Sequence, residues 1–355
     1  MIGSFTFESL PCRIVFGSGT IGAAKAEVER LGGKRAMVLT TPELVSQGTA
    51  LGASLGELYG GIFSSAEMHT PVDVTLKALA AMESIKADLV ISVGGGSATG
   101  LAKALALRTG VSQLCIPTTY AGSEMTPILG ETRDGLKTVV RNLSVLPKTV
   151  IYDVDLTMSL PVTLSATSGM NAIAHAVEAL YARDRNPVIT FMAEDGIRAM
   201  AHALPGIKAN PDSKEARTAA LYGAWLCGAC LGNVGMALHH KLCHTLGGTF
   251  DLPHAETHTI IIPHALAYNA PAVPEAMMRL ARALKTDDPV LGLYGLARQL
   301  DAKMALRDLG MPEAGIDKAA DLSVSTPYWN PRAIDRDSVR DLIARAWLGA
   351  VPSRR

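Results

Sequence analysis

The sequence predicts a chain in two parts, an N-terminal α/β domain with a mostly parallel sheet over residues 1–160 and an all-α C-terminal domain over residues 161–355. Three observations carry that prediction. A length of 355 residues exceeds what one hydrophobic core organises, and a 48% apolar content suffices to fill two. Before residue 160, short β-branched runs alternate with helical patterns, which implies crossovers between parallel strands. Beyond Pro161 the strand signals vanish and long Ala- and Leu-rich helical stretches follow.

In chain order, Ala36–Thr40, Leu89–Val93, Leu114–Ile116 and Thr149–Tyr152 read as strands. Gly94, Gly95, Gly96 and Ser97 separate the second of these from a helix-like run, Gly100–Leu107. The stretch from Ile116 to Glu124 is a polar loop. In the second half, Pro205, Pro211, Pro253 and Pro271 are expected to break the helices, and only the tail Val351–Arg355 reads as frayed. Cys227 and Cys230 spell C-x-x-C, but they lie in a small-residue apolar run, Ala219–Gly232, that predicts a buried helix with inert thiols.

Composition removes several functional classes. Lys plus Arg and Asp plus Glu number 33 each, so net charge favours neither nucleic acid nor an acidic membrane. The N-terminal residues lack the basic and apolar regions of a signal peptide, and no run of about 18 apolar residues occurs. Five scattered cysteines form no disulfide framework. A soluble cytoplasmic protein is expected.

Two constellations carry chemistry. A strand, three glycines and a helix start let a backbone approach a ligand closely and offer N–H groups to an anion such as a dinucleotide pyrophosphate, although a plain tight turn explains the run equally well. Thr118, Thr119 and Ser123 in the following loop supply hydroxyls to the same ligand, or simply a polar loop with a helix cap. The second constellation is histidine: six of nine fall between His239 and His264. Asn171 and His175 are four apart, as are His240 and His244, so each pair shares a helical face, and His254 follows a Gly247-Gly248 and Pro253 turn. Three imidazoles with one neutral amide resemble a first-row metal site that lacks its carboxylate. His239, His258 and His264 are read as structural; His69 and His202 carry no signal.

The Gly94–Ser97 run, Pro117–Thr119, Gly169–Glu178 and the His240-x3-His244-x9-His254 spacing together resemble the iron-containing (group III) alcohol dehydrogenases, from about Val15 to Asn269. The resemblance implies the dehydroquinate synthase-like fold of that family, an active-site cleft between the domains, a homodimer, and Fe²⁺ or Zn²⁺ ligands at positions that are here Asn171, His175, His240 and His254. It further implies that His244 lies by substrate and nicotinamide without ligating metal, and that Lys137 lies near the nicotinamide.

Two departures stand out, since Asn171 replaces the family's ligand Asp and Gly100 replaces an Asp after the glycine run. They resemble the branch of the family that reduces a conjugated carbon–carbon double bond without requiring a metal. Hydride added to the alkene of a dianionic oxo-enedioate develops enolate charge on the keto oxygen. An enolate is a weaker base than an alkoxide, so imidazole donors can hold it in place of a Lewis acid. On this reading His175, His240 and His254 bind a carboxylate or the keto oxygen, His244 donates the proton or stabilises the enolate, and Asn171 spares a dianion repulsion. After the second strand a neutral Thr41 stands where NAD sites usually place an acid, so both NADH and NADPH are expected. Two alternatives remain: a metal-dependent dehydrogenase of small alcohols or polyols, and a non-catalytic binding protein on a decayed scaffold.

Overall fold

The computed structural model describes residues 4–133 and 136–353, with the side chains of Leu136 and Lys137 outside the described residues. Two compact units emerge, Ser9–Leu160 and Pro161–Arg355, the latter joined by the first residues of the chain.

The first unit contains β1 (Arg13–Gly17), α1 (Ala24–Arg30), β2 (Ala36–Leu39), α2 (Val45–Leu55), β3 (Tyr59–Phe63), α3 (Val72–Ser84), β4 (Leu89–Gly94), α4 (Gly96–Thr109), β5 (Ser112–Pro117), β6 (Ile128–Arg133), β7 (Leu136–Arg141) and β8 (Thr149–Asp153). Six of these strands form one parallel sheet in the order β1-β8-β5-β4-β2-β3. The inner strands β2, β4 and β8 are buried along their whole length, which explains their unbroken apolar sequences, whereas edge strands β1 and β3 are half-exposed. Alternation decides which layer each side chain joins. Val38 and Ile91 pack with Val28 of α1 and Leu51 and Leu55 of α2 on one face. Met37, Leu39 and Val90 pack with Ala78 of α3 and Leu101 and Leu105 of α4 on the other. The chain leaves β2 for β3 on one side and returns to β4 on the other, so the order reverses between β2 and β4, a point where open sheets bind ligands beyond their strand ends.

An antiparallel hairpin of β6 and β7 lies outside the main sheet and was not expected from the sequence. Lys103 ties it down. The ammonium of this fully buried side chain donates to the carbonyls of Ser123 (2.6 Å), Thr126 (2.8 Å) and Ile128 (2.8 Å) and to the Thr126 hydroxyl (2.8 Å). Burial pushes its pKa down to about 8, against the pull of Cys115 and Glu124. Lys103→Met leaves several buried oxygens without a donor, so it should destabilise this unit by about 2–4 kcal/mol. Thermal unfolding followed by far-UV circular dichroism measures it; an unchanged transition would show that the cage is not needed.

The second unit is helical: α5 (Val162–Ala179), α6 (Pro187–Ala209), α7 (Lys214–Asn233), α8 (Leu238–Phe250), α9 (His254–Asn269), α10 (Pro274–Leu284), α11 (Pro289–Gln299), α12 (Gly315–Val324) and α13 (Arg336–Leu348). One core joins α8, α9, α12 and α13 through Leu242, Leu246, Ile261, Ala319 and Ile343. Pro211, Pro253 and Pro271 lie outside the α-helices, as expected, but Pro205 lies inside α6. A proline N removes one rung only, and buried neighbours Ala203, Leu204 and Ile207 keep the helix seated on both sides of it. Gly247 and Gly248 likewise lie inside α8; the turn toward His254 is made by Asp251, at φ 53°, and Pro253. Cys227 and Cys230 are buried on α7, where burial raises both thiols. Among the described residues no single helix is long and apolar enough to cross a membrane.

Candidate active site

The first unit supplies an anion cradle. Gly95 precedes α4 with no side-chain cap, so the first N–H groups of the helix are open, and Gly96 is exposed. β4 and β5 are neighbours with Gly94 opposite Pro117, and the Thr118 N–H donates to the Gly94 carbonyl at 3.1 Å. The two loops therefore run side by side. A Cβ on Gly95 would lie 2.9 Å from Thr119 Cγ2, so only glycine lets them approach this closely. Ser97 lies in the first turn of α4, Ser123 opens a short 3₁₀ turn whose carbonyl is held by Lys103, and Thr41 follows β2 across the switch point. The backbone of Lys137 is in β7; its side chain lies outside the described residues. An open helix start flanked by hydroxyls fits a dinucleotide pyrophosphate. Gly100 has a different reason: a Cβ there would sit 2.3 Å from Thr70 Oγ1, so Thr70 fills the volume an aspartate would need.

The second unit gathers the imidazoles. Asn171, His175 and Glu178 recur at four and three residues on α5 and so share one face; all three are buried. The His175 and His240 rings lie 5.0 Å apart, with Nδ1 of the first 2.8 Å from Nε2 of the second. His244, exposed one turn after His240, has its ring 6.2 Å from that of His240 and stacks at 6.5 Å with that of His254. His254 is half-buried at the start of α9.

Two features escaped the sequence. Glu178 is fully buried, and its carboxylate accepts the backbone N–H groups of Ala237 (2.9 Å), His239 (2.9 Å) and His240 (3.4 Å) together with His240 Nδ1–H (2.7 Å). It caps the N-terminus of α8 from another helix and fixes the His240 ring in the same contact. A glutamate in a helical run reads as solvated, so only the fold shows this role. His239 and His258, read as structural from sequence, are also fully buried among the other rings; His258 lies 4.3 Å from His254 between centroids. Its i+4 spacing from His254 was the available signal. His264 is buried on α9, where burial and Arg345 push its pKa down to about 4.

The four positions implied as metal ligands do not form a carboxylate-plus-imidazole centre. Ligand atoms of His175, His240 and His258, not His254, lie within 4.8 Å of one another. Two of the ring nitrogens are hydrogen-bonded to each other at 2.8 Å, Asn171 is neutral, and the nearby carboxylate, Glu178, is turned into the α8 N-terminus. Such a set lacks the carboxylate of the family's centre, while His175, His240 and His258 are spaced as a group that could hold a metal ion.

Family models match both halves of the chain: "Iron-containing alcohol dehydrogenase" over residues 11–154 and "Fe-containing alcohol dehydrogenase family, C-terminal" over residues 165–347. The maleylacetate reductase of Rhizobium sp. (strain MTP-10005) is 53% identical over 348 residues, covering 98% of this chain and 99% of the relative. That of Burkholderia cepacia is 51% identical over 352 residues, covering 99% and 100%. The crystal structure of maleylacetate reductase from Agrobacterium tumefaciens superposes with a TM-score of 0.95 at 51% identity, covering 99% of this chain and 100% of that one.

Proposed function

Since this chain belongs to the iron-containing alcohol dehydrogenase family, we propose that it reduces the carbon–carbon double bond of maleylacetate to 3-oxoadipate with NAD(P)H and without a metal. Maleylacetate, NAD(P)H and one proton give 3-oxoadipate and NAD(P)⁺. The observation that carries the reading is the imidazole cluster with Asn171 in the place of a carboxylate, in a chain about half identical over its full length to maleylacetate reductases. When bound, the nicotinamide supplies the hydride to the alkene carbon beside the carboxylate. His175, His240 and His254 hold a carboxylate or the keto oxygen, where the enolate charge gathers. His244, on the exposed side of the cluster, donates the proton to the α-carbon or stabilises the enolate. Thr118, Thr119, Ser123 and Ser97 orient the cofactor over the open start of α4, and Lys137 acts near its nicotinamide.

Both reduced cofactors are accepted on this reading, with one refinement. The Thr41 hydroxyl hydrogen-bonds the exposed Glu43 carboxylate, a contact that holds this acid below its ordinary range. A negative charge thus stands beside the position read as neutral and disfavours a 2′-phosphate. Glu43→Gln should raise the NADPH-to-NADH ratio of kcat/KM by about two- to fivefold, the scale of an exposed charge contact; an unchanged ratio would place Glu43 away from the ribose. The free thiols Cys115, Cys227, Cys230 and Cys243, all buried, support a reducing cytoplasm, and a homodimer belongs to the same reading.

Incubating the protein with NADH and maleylacetate and identifying the product tests the proposal. Formation of 3-oxoadipate supports it; oxidation of NADH only with simple ketones or aldehydes would replace it with an alcohol dehydrogenase.

A further inference from the structure

His258 has no part in the reaction as set out above, yet it lies at the centre of the cluster. Its ring is 5.1 Å from that of His240 and 5.9 Å from that of His175. Its Nδ1 lies 2.9 Å from Nε2 of His239, while its own Nε2 is buried without a hydrogen-bond partner. A buried polar atom without a partner is costly, so its retention calls for a ligand that accepts from it. Beyond His239 stands Cys243, one turn along α8, with Sγ 3.9 Å from His239 Nδ1 and 3.7 Å from Nε2.

Ligand nitrogens of His258, His175 and His240 lie within 4.8 Å of one another, close enough for one oxygen to touch all three. Cys243 Sγ is nearly equidistant from the two nitrogens of His239, so that contact does not fix the ring's tautomer, and the unpartnered His258 Nε2 is the group left to meet a ligand.

We propose that His258, held at Nδ1 by His239, offers its buried and otherwise unpartnered Nε2, as a neutral N–H, to the keto oxygen of an enone dicarboxylate. This does at the centre of the cluster what a Lewis acid does elsewhere. The proposal rests on the enone-reductase reading. His258 is the oxygen-contacting residue; His239 is a positioning residue.

The test compares His258→Phe, which removes the donor, with His258→Gln, which keeps one. Against wild type turning over maleylacetate, the phenylalanine variant should lose about a hundredfold or more in kcat, the scale of one oxyanion donor, with NADH affinity unchanged. Glutamine should restore at least tenfold of that loss. Histidine nitrogen NMR of the unmutated protein gives an answer that does not depend on a variant folding: His258 should carry its proton on Nε2. A kcat within threefold of wild type for His258→Phe, no gain from glutamine, or a proton on Nδ1 would overturn the inference. So would a thiolate-to-Co²⁺ charge-transfer band on Co²⁺ titration that disappears in Cys243→Ala, because His239, Cys243 and His258 would then hold a cation. If wild type fails to reduce maleylacetate at all, the functional reading fails rather than the role of His258.

Discussion

His244→Phe should lower kcat with maleylacetate by about 10²- to 10⁴-fold, the range of a positioned acid, while leaving NADH binding intact. The side chain sits on the exposed side of the imidazole cluster, one helical turn after His240 and stacked toward His254, so it can meet a substrate without leaving α8. Phenylalanine keeps the ring's volume and removes its proton. Because His244 is exposed, the change opens no core cavity, and a loss of rate reads as lost chemistry rather than lost fold. Steady-state kinetics at saturating substrate, with NADH fluorescence titration as control, measures it; near-normal kcat would remove His244 from the reaction.

Glu178→Gln should destabilise the helical unit by about 3 kcal/mol and cut kcat/KM by more than tenfold in what remains folded. The carboxylate accepts three backbone N–H groups at the start of α8 and the His240 ring. A glutamine offers one acceptor oxygen and turns an N–H₂ toward donors. Helix α8 carries both His240 and His244, so loosening its first turn moves two imidazoles at once. The three tryptophans, Trp225, Trp329 and Trp347, all lie after residue 160, so denaturant unfolding followed by tryptophan fluorescence reports this unit by itself. A midpoint unchanged from wild type would show that the cap is dispensable.

What could be read from the sequence follows from how local each cause is. The parallel sheet was legible because β2, β4, β5 and β8 are buried strands, and burial on both faces writes an unbroken apolar run. β3 was not, since Gly60 and Gly61 dilute its pattern at a half-exposed edge, and the β6–β7 hairpin depends on an ammonium from another element. Helical spacing alone places His240 with His244 on one face. The roles of Glu178 and His258 depend on α5, α8 and α9 meeting, which no single stretch of sequence encodes. Pro205 and the Gly247-Gly248 pair misled for the converse reason: local helix-breaking preference is small beside the packing that holds α6 and α8 in place.

The central claim is that this cluster reduces a conjugated double bond with imidazole donors in place of a metal. NADH oxidation by the protein with maleylacetate, run before and after exhaustive treatment with EDTA and alongside metal analysis of protein purified without chelator, addresses it most directly. The account predicts rapid oxidation that chelator leaves unchanged and substoichiometric metal. Loss of activity with EDTA, restored by Fe²⁺ or Zn²⁺, would contradict it.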